Sequence, residues 1–325
     1  MNQNLVLTSE QQKIIDAEKD KNIRIIAGAG CAKTTTILYR IKHLIEYHSI
    51  DPKSIILTTF TKDASLDMET KLKNLIDCKI IIGTIDRISK KYVDKYVKKD
   101  RTKDQQKNIY VGEYKVKFHQ FLQDTSNPNN SIFFKQIKYL FIDEYQDINQ
   151  YYYNIILEMY KKDVIITVVG DDAQNIYTWN GSKIEYILKF QQEFDNTESF
   201  FLTQNFRSTP EILQLANQSI NKNEHQIHKI ISSNIDSIRV KPSVNYYYSW
   251  DREYLGIKTL IDRYIQYGFR YHDIAILSRN CTDNGPLYFI ETNLAKDKLP
   301  TVLLEGNKDV RSKIKEDHIC LSTIH

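Results

Sequence analysis

The sequence predicts an α/β fold in which helices pack on parallel β-sheets, organised as two domains. Short apolar runs of strand length alternate along most of the chain with segments whose apolar residues recur at helical spacing. Several of these runs end in small or acidic residues, at the sheet edge where parallel α/β folds bind ligands. A chain of 325 residues with 41% hydrophobic residues is also long enough to form two cores.

Composition narrows the class of protein. Charged residues make up 26% of the chain, as is typical of globular proteins, and the net charge of +4 is compatible with a nucleic-acid partner without arguing for one. Four scattered cysteines without a C-x-x-C pair predict a reducing, intracellular compartment and no zinc site. We expect no membrane span and no secretory signal. The abundance of Ile, Lys, Asn and Tyr indicates an AT-rich genome, for example a viral one.

The first informative stretch is a small-residue turn between an apolar strand and an amphipathic helix. It approximates the phosphate-binding pattern G-x-x-x-x-G-K-[ST], with Ala27 and Ala32 at the glycine positions. Backbone N–H groups and the helix N-terminus would hold phosphates, Lys33 would reach the outer phosphates, and the Thr34 hydroxyl would hold Mg²⁺. The alternative is a tight turn with an incidental lysine. The candidate nucleotide-binding residues are Gly28, Ala29, Gly30, Cys31, Ala32, Lys33, Thr34 and Thr35.

The next elements of the first domain carry two ambiguous residues. A strand at 54–59 ends just before Phe60 and Thr61, and Phe60 is either core or a ligand contact at the sheet edge. Upstream, Gln11 is either a surface residue or a reader of adenine, because a carboxamide offers both a donor and an acceptor. A further strand at 79–84 leads into another helix.

Residues from about 89 to 131 differ in composition and predict a small helical insertion. Lysines between Lys90 and Lys103 interleave with Tyr92, Tyr96 and Tyr110. A lysine-rich helix face is either simply solvated or a surface for nucleic acid.

A strand at 137–142 ends in Asp143 and Glu144. A carboxylate at the tip of a strand beside a phosphate loop can order Mg²⁺, and the neighbouring glutamate can polarise an attacking water. Two acidic residues ending a strand are common by chance. With a phosphate loop upstream in the same sheet, the catalytic interpretation is favoured.

Two later turns supply the remaining candidates. The strand at 164–170 is followed by Gln174, which could sense a terminal phosphate, and by Trp179, an aromatic beside a glycine in a loop. After the strand at 199–203, Arg207 precedes a helix with Ser208 and Glu211 at capping-box spacing. A cation at a helix start calls for an anion to compensate it.

The first domain is predicted to span residues 1–203 and a second α/β domain residues 204–325. The second domain would contain helices at 252–266 and 286–297. Its predicted strands are Asn245–Ser249, Asp273–Ser278, Pro300–Leu304 and His318–Thr323.

In order, these motifs resemble the UvrD/Rep-type superfamily 1 DNA helicases. The matching stretches are Leu7–Gln11, Ala27–Thr34, Thr58–Ala64, Asp143–Asp147, Gly170–Ser182, Asn205–Ser208 and Cys320–His325. The resemblance implies P-loop NTPase domains of RecA-like fold, the second one partial, with ATP and Mg²⁺ between them. It implies that Gln11 and Phe206 contact adenine, and that Thr34 and Asp143 bind Mg²⁺. Catalysis would fall to Lys33, Asp143, Glu144, Gln174 and Arg207, and DNA binding to Phe60, Thr61, Thr84 and Trp179.

The implied activity is ATP-dependent helicase or translocase action on single-stranded DNA or on DNA with a single-stranded tail, with 3′-to-5′ polarity. The sequence departs from the family pattern at Ala32, at Asp86 where histidine is usual, and at Asn180 where arginine is common. The printed sequence ends within the fifth motif, so we expect a shortened protein or a separate polypeptide that supplies the remaining motifs. The alternative is a nucleotide-dependent single-strand binding module without productive unwinding.

Overall fold

The chain folds as two compact units, Met1–Pro242 and Ser243–His325. The computed structural model describes residues 6–97, 112–279, 285–304 and 317–323. The first unit continues past the predicted boundary between residues 203 and 204. Within the described ranges, no helix has both the length and the apolar character that a bilayer crossing requires.

The first unit is built on a six-stranded sheet whose neighbouring strands all run parallel. Its strands are β1 (Asn22–Ala27), β2 (Ile55–Thr59), β3 (Ile81–Thr84), β4 (Tyr139–Ile142), β5 (Ile165–Gly170) and β6 (Thr197–Leu202). Across the sheet the order is β3-β2-β4-β5-β1-β6. The predicted parallel α/β fold is confirmed.

Helices cover both faces of this sheet. On one face lie α1 (Ser9–Ile15), α2 (Lys33–Tyr47) and α3 (Lys62–Leu75). On the other lie α4 (Ile85–Tyr92), α5 (Glu113–Gln123), α6 (Pro128–Gln136), α7 (Gln150–Tyr160), α8 (Glu185–Leu188) and α9 (Phe190–Glu193). Successive strand residues point to opposite faces. In β4, Tyr139 and Phe141 therefore join the core under α2, whereas Leu140 and Ile142 join the core under α7.

The insertion predicted at about 89–131 is helical in most of its described part, which contains the end of α4, a helical turn at Val93–Val97, α5 and the start of α6. Tyr92 and Tyr96 are 2% and 5% exposed and stack with other rings in the core. These tyrosines are therefore core residues, whereas the lysine between them, Lys95, faces solvent. Residues 98–111, which include Tyr110, lie outside the described part of the chain.

Residues 204–242 belong to the first unit. They contain β7 (Gln204–Asn205), α10 (Pro210–Ile220) and β8 (Ser232–Ser233), and β7 pairs with β8 in parallel. Ile231 and Leu213 are both 8% exposed and join the core that contains β1 and α2. This apolar anchoring explains why the compact unit ends at residue 242 and not at 203.

The start of α10 differs from the predicted capping box. The residue before the helix is Thr209, whose side chain makes no capping hydrogen bond, and Pro210 occupies the first turn. The Glu211 carboxylate instead accepts hydrogen bonds from the Ser237 hydroxyl and the Arg239 N–H. The Ser208–Glu211 capping box is therefore wrong.

The second unit contains a three-stranded parallel sheet of order β10-β11-β9. Its elements are α11 (Trp250–Gln266), β9 (Ala275–Ser278), α12 (Pro286–Lys296), β10 (Thr301–Leu304) and β11 (Ile319–Thr323). The predicted strand at Asn245–Ser249 is wrong, because these residues have no regular structure. Tyr246 and Tyr248 lie fully in solvent, so their alternation with other residues reflects no buried sheet face.

Candidate functional site

The strand order brings the candidate residues to one edge of the first sheet. β5 lies between β4 and β1, so the turns after these three strands are neighbours at their carboxyl ends. Glu144, Gln174 and Lys33 follow β4, β5 and β1 respectively. Glu144 and Gln174 line a cleft of about 320 Å³, and Lys33 is joined to it by an ion pair with Glu144. Its lining comprises Thr34, Thr59, Phe60, Thr61, Ala64, Asp67, Met68, Asp143, Glu144, Gln146, Asp147, Gln174, Ile176 and Tyr177.

The phosphate-loop candidates form the turn between β1 and α2. Gly30 has φ +71°, and Ala32, the residue before α2, is also left-handed with φ 56° and ψ 34°. The N–H groups of Gly28 and Cys31 already donate to Leu202 and Gly28 carbonyls. The first N–H groups of α2 have no acceptor within the helix. The N–H groups at the start of α2, from Lys33 to Thr35, can therefore bind an anion, whereas those of Gly28 and Cys31 are already engaged.

The left-handed backbone of Ala32 leads to a stability prediction. An L-residue with a Cβ is strained in this conformation by about 1–2 kcal/mol. Glycine avoids this strain, but it offsets part of the gain because its unfolded chain has more conformational entropy to lose on folding. We expect Ala32→Gly to raise the free energy of unfolding by about 1 kcal/mol, measured by denaturant titration, and to leave Mg·ATP affinity equal or tighter. Asp163, with φ 61° and far from the cleft in sequence, is the control. Asp163→Gly should change stability alone, and a destabilised Ala32→Gly protein would contradict the strain.

Lys33 forms an ion pair with Glu144, which lines the cleft. The Lys33 Nζ donates to Glu144 Oε2 at 2.9 Å, and the lysine side chain is only 11% exposed. Burial alone would lower the pKa of Lys33, but the nearby charges of Glu144 and Asp143 outweigh it and the pKa is raised. Gln146 Nε2 donates to the same glutamate oxygen at 2.9 Å. A phosphate entering the cleft would compete with Glu144 for the lysine ammonium.

The carboxylates beside this pair favour a bound cation. Burial, and then the charge of Glu144, raise the pKa of Asp143 against the opposing effect of Lys33. Burial and Glu144 likewise raise the pKa of Asp147 to about 7. One Asp147 oxygen is buried without a hydrogen-bond partner among the described residues. Crowded, poorly compensated carboxylates of this kind are stabilised by a positive ion.

Magnesium suits the oxygen donors of the cleft. Asp143 and the Thr34 hydroxyl both line it, and Mg²⁺ usually takes one or two protein oxygens together with water and substrate phosphates. Among the described residues no group of three His, Cys, Asp or Glu side chains forms a complete metal site. The arrangement therefore fits a magnesium ion that arrives with a nucleotide.

Gln174, the predicted phosphate sensor, lines the cleft and is held by a residue that the sequence did not point to. Its Nε2 donates to Asp171 Oδ2 at 2.8 Å. Asp171 is 2% exposed, and its N–H donates to Gln146 Oε1 at 3.0 Å. The sensor candidate is thus tied through hydrogen bonds to the turn that carries Glu144.

A run of three aromatic side chains leads away from the cleft. Phe60 packs on Tyr177 with ring centroids 4.8 Å apart, and Tyr177 lies 6.0 Å from Trp179. Trp179 is 74% exposed, so it is a surface residue and not core. Tyr177 was missed from sequence, although its spacing of two residues from Trp179 was an available signal. Because Tyr177 also lines the cleft, the run begins at the candidate nucleotide site.

The other candidates take supporting positions. Thr61 and Thr84 cap α3 and α4 by accepting from the N–H groups of Ala64 and Arg87. Gln11 is 4% exposed, with its carboxamide bonded to the Thr8 N–H and to the Thr36 hydroxyl in the first turn of α2. Gln11 therefore lies beside the N-terminal turn of α2, and both the oxygen and the nitrogen of its carboxamide already form hydrogen bonds.

The segment that carries Phe206 and Arg207 is fastened to the phosphate-loop turn. Asn205 Nδ2 donates to the Ala29 carbonyl at 2.6 Å, and the Phe206 N–H donates to the Gly30 carbonyl at 3.0 Å. A Cβ placed on Gly30 would lie 2.9 Å from the Arg207 Cβ. The Cβ of Arg207 is thus packed against the turn, while the Phe206 ring is 39% exposed.

Comparison with known proteins agrees with this geometry. Residues 11–180 match the AAA domain family, and residues 200–325 match the UvrD-like helicase C-terminal domain family. The chain belongs to the UvrD/Rep-type helicases. Four of the motif stretches identified in the sequence, those that contain Thr34, Phe60, Glu144 and Gln174, contribute residues to one cleft in the first unit.

Several helicases resemble this UvrD/Rep-type chain over part of their own length. A probable DNA helicase II homolog of Mycoplasma capricolum is 28% identical, covering 96% of this chain and 54% of the relative. The ATP-dependent DNA helicase Rep of Buchnera aphidicola is 26% identical, covering 92% and 55%. Among solved structures, the Candida albicans Pif1 helicase has a TM-score of 0.39 and 14% identity, covering 61% and 40%. The chain spans about half the length of the curated relatives it matches.

Two departures from the UvrD/Rep-type pattern have structural consequences. Asp86, in the place of the usual histidine, accepts a hydrogen bond of 2.8 Å from the Tyr152 hydroxyl. Asn180, in the place of arginine, is exposed and contributes its N–H to the short helical turn that holds Trp179. The first change places a carboxyl group where the family has a histidine imidazole. The second removes the positive charge of an arginine beside the aromatic run.

Proposed function

We propose that this chain is the ATP-driven motor of a DNA helicase or translocase. It binds Mg·ATP in the cleft of the first unit, hydrolyses the nucleotide and moves single-stranded DNA along the aromatic run. The observation that carries the proposal is the position of Tyr177, which lines the cleft and packs against the Phe60 ring. A change in the nucleotide site therefore reaches the surface where bases would stack.

Each cleft residue has a role that its position supports. Lys33 exchanges Glu144 for the outer phosphates, and the released Glu144 carboxylate orients and deprotonates the attacking water. Thr34 and Asp143 would hold Mg²⁺, which when bound neutralises phosphate charge. Gln174 contacts the terminal phosphate or the attacking water.

The Asn205–Ser208 segment completes the nucleotide site in this proposal. Phe206 offers an exposed ring for adenine, and the Arg207 guanidinium stabilises charge on the terminal phosphate. This assignment is supported by the hydrogen bonds that hold the segment against Ala29 and Gly30 of the phosphate-loop turn. Gln11 contributes to adenine recognition only if its present hydrogen bonds rearrange.

The DNA substrate is a single strand or a duplex with a single-stranded tail. Stacking on aromatic side chains suits unpaired bases of any sequence, and Phe60, Tyr177 and Trp179 provide three rings in a row. Thr61 and Thr84 follow or end the neighbouring strands β2 and β3 and would contact the sugar-phosphate backbone of the DNA. The 3′-to-5′ polarity is an expectation that comes from the family resemblance.

A nucleotide-dependent single-strand binding module is the second candidate function. The observation that favours it is Asn180, an exposed neutral residue beside Trp179 in the place where the family commonly has an arginine that would couple the nucleotide site to the DNA strand. Such a module would bind both ligands but would hydrolyse ATP no faster when DNA is present. Hydrolysis with and without DNA therefore separates the two candidates.

The DNA part of the proposal is tested with Trp179→Ala. A stacked base contributes about 1–3 kcal/mol, so we expect single-strand affinity to fall by about tenfold or more. The loss should be similar for different base compositions, and the salt dependence should not change because no phosphate contact is removed. Fluorescence anisotropy of labelled oligonucleotides measures both quantities.

Trp250 provides the matched control for this experiment. It is the other tryptophan of the chain, is 46% exposed and lies in the second unit. Trp250→Ala should leave single-strand affinity unchanged. Equal affinities of wild type and Trp179→Ala would remove the aromatic run from the DNA site.

A further inference from the structure

A buried lysine lies behind the cleft, outside every motif that the sequence singled out. The Lys229 side chain is 3% exposed. Its ammonium contacts Asp171 Oδ1 at 3.0 Å and, more closely, the Asp172 carboxylate. These carboxylates are themselves 3% and 0% exposed. Buried charges persist when they are paired and hydrogen-bonded, so the three groups form one compensated cluster.

One hydrogen bond joins this cluster to Gln174, the candidate phosphate sensor. Asp171 uses Oδ1 for Lys229 and for the Ala173 N–H, and uses Oδ2 for Gln174 Nε2 at 2.8 Å. A carboxylate only accepts hydrogen bonds, so it fixes the Gln174 carboxamide with nitrogen inward and Oε1 outward. The orientation of Gln174 therefore depends on Asp171 remaining where Lys229 holds it.

The segment that carries Lys229 contacts three elements around the nucleotide site. The Ile227 N–H donates to Asp172 Oδ2 at 2.7 Å. Ile231 packs on the phosphate-loop turn so closely that a Cβ on Gly28 would lie 2.5 Å from its Cδ1. Ser232 and Ser233 form β8, which pairs with β7 just before Arg207. Residues 227–233 thus join the turn after β5, the phosphate loop and the arginine segment.

We infer that Lys229 is a positioning residue, which acts through Asp171 to orient Gln174 toward the nucleotide. The inference rests on the proposed ATP hydrolysis for its catalytic consequence. Lys229 touches neither nucleotide nor DNA in this assignment. Its charge places Asp171, Asp171 places the carboxamide, and the carboxamide meets the terminal phosphate or the water.

A double-mutant cycle separates the positioning role of Lys229 from a purely structural role, because only the positioning role requires Gln174. Outer hydrogen-bond partners in metal sites affect activity by about 10–100-fold, and we expect Lys229→Met to lower the kcat of ATP hydrolysis within that range while ATP affinity changes little. In a Gln174→Ala background the same substitution should lower kcat by no more than about twofold. The same proportional loss in both backgrounds would overturn the inference.

Two further variants keep the experiment decisive. If Lys229→Met does not fold, as judged by circular dichroism, Lys229→Met with Asp172→Asn replaces it, because the pair of changes removes one charge of each sign. Exposed Lys222 supplies the matched control. Lys222→Met should leave kcat unchanged in both backgrounds.

Hydrogen exchange separates failure of this inference from failure of the proposed function. The N–H groups of Ala173 and Gln174 donate to Asp171, so Lys229→Met should make their exchange at least about tenfold faster in the full chain. Lys222→Met should not. Unchanged exchange at these amides rejects the positioning role, whereas absence of hydrolysis in the wild type rejects the proposed function alone.

Discussion

Glu144→Gln is expected to reduce DNA-stimulated ATP hydrolysis by about 10²–10⁴-fold while binding of both ligands persists. The amide has the shape of the carboxylate but cannot accept a proton from water. The substitution also removes the ion pair of 2.9 Å that Glu144 forms with Lys33 in the wild type. The Lys33 ammonium is then free to bind phosphate. ATP affinity should therefore be equal or tighter. Steady-state hydrolysis with a single-stranded oligonucleotide, together with calorimetry of nucleotide binding, measures the two effects.

Glu158 is a suitable control for the loss of a carboxylate. Its ion pair with Lys161 is also 2.9 Å long, but lies on α7 away from the cleft. Glu158→Gln should hydrolyse ATP at the wild-type rate. If Glu144→Gln also kept that rate, Glu144 would not be the base, and the account of the cleft chemistry would be wrong.

Lys33→Ala is expected to weaken Mg·ATP binding by about 10–100-fold, the value of a hydrogen bond to a charged group. The raised pKa of Lys33 keeps the ammonium charged at neutral pH. Its removal leaves phosphate without that cation, next to a Glu144 carboxylate that is no longer paired. Calorimetric titration of the variant with Mg·ATP gives the ratio of affinities.

The matched control for this change is Lys161→Ala. Lys161 pairs with Glu158 on the surface and should not alter nucleotide binding. Equal affinities of the wild type and Lys33→Ala would show that the turn from Gly28 to Ala32 is an ordinary strand-to-helix turn. Folding of each variant is checked by its thermal unfolding curve.

Local patterns predicted those parts of the site that lie at strand ends. Lys33, Asp143 and Gln174 each follow an apolar run, and parallel strands bring such ends together whatever the details of packing. The same reasoning placed Trp179 in an exposed loop, where the structure has it. These positions depend on periodicity and chain order, which a single sequence contains.

Contacts between distant parts of the chain were not predictable in this way. Lys229 reaches Asp171 across the first unit, and nothing within its own segment marks it as buried. Tyr92 and Tyr96 alternate with lysines on a helix, yet tertiary packing places their rings in the core. The Ser208–Glu211 spacing fitted a capping box, but Pro210 and the bonds from Ser237 and Arg239 decided the helix start.

The most direct test of the central claim is the rate of ATP hydrolysis as a function of single-stranded DNA concentration. The claim is that the cleft and the run of Phe60, Tyr177 and Trp179 work as one motor. We predict that the wild-type rate rises to a plateau with added oligonucleotide, and that Trp179→Ala needs about tenfold more DNA to reach half of its plateau. A rate that stays flat with DNA, in a protein that still binds Mg·ATP, would contradict the motor and support the binding module.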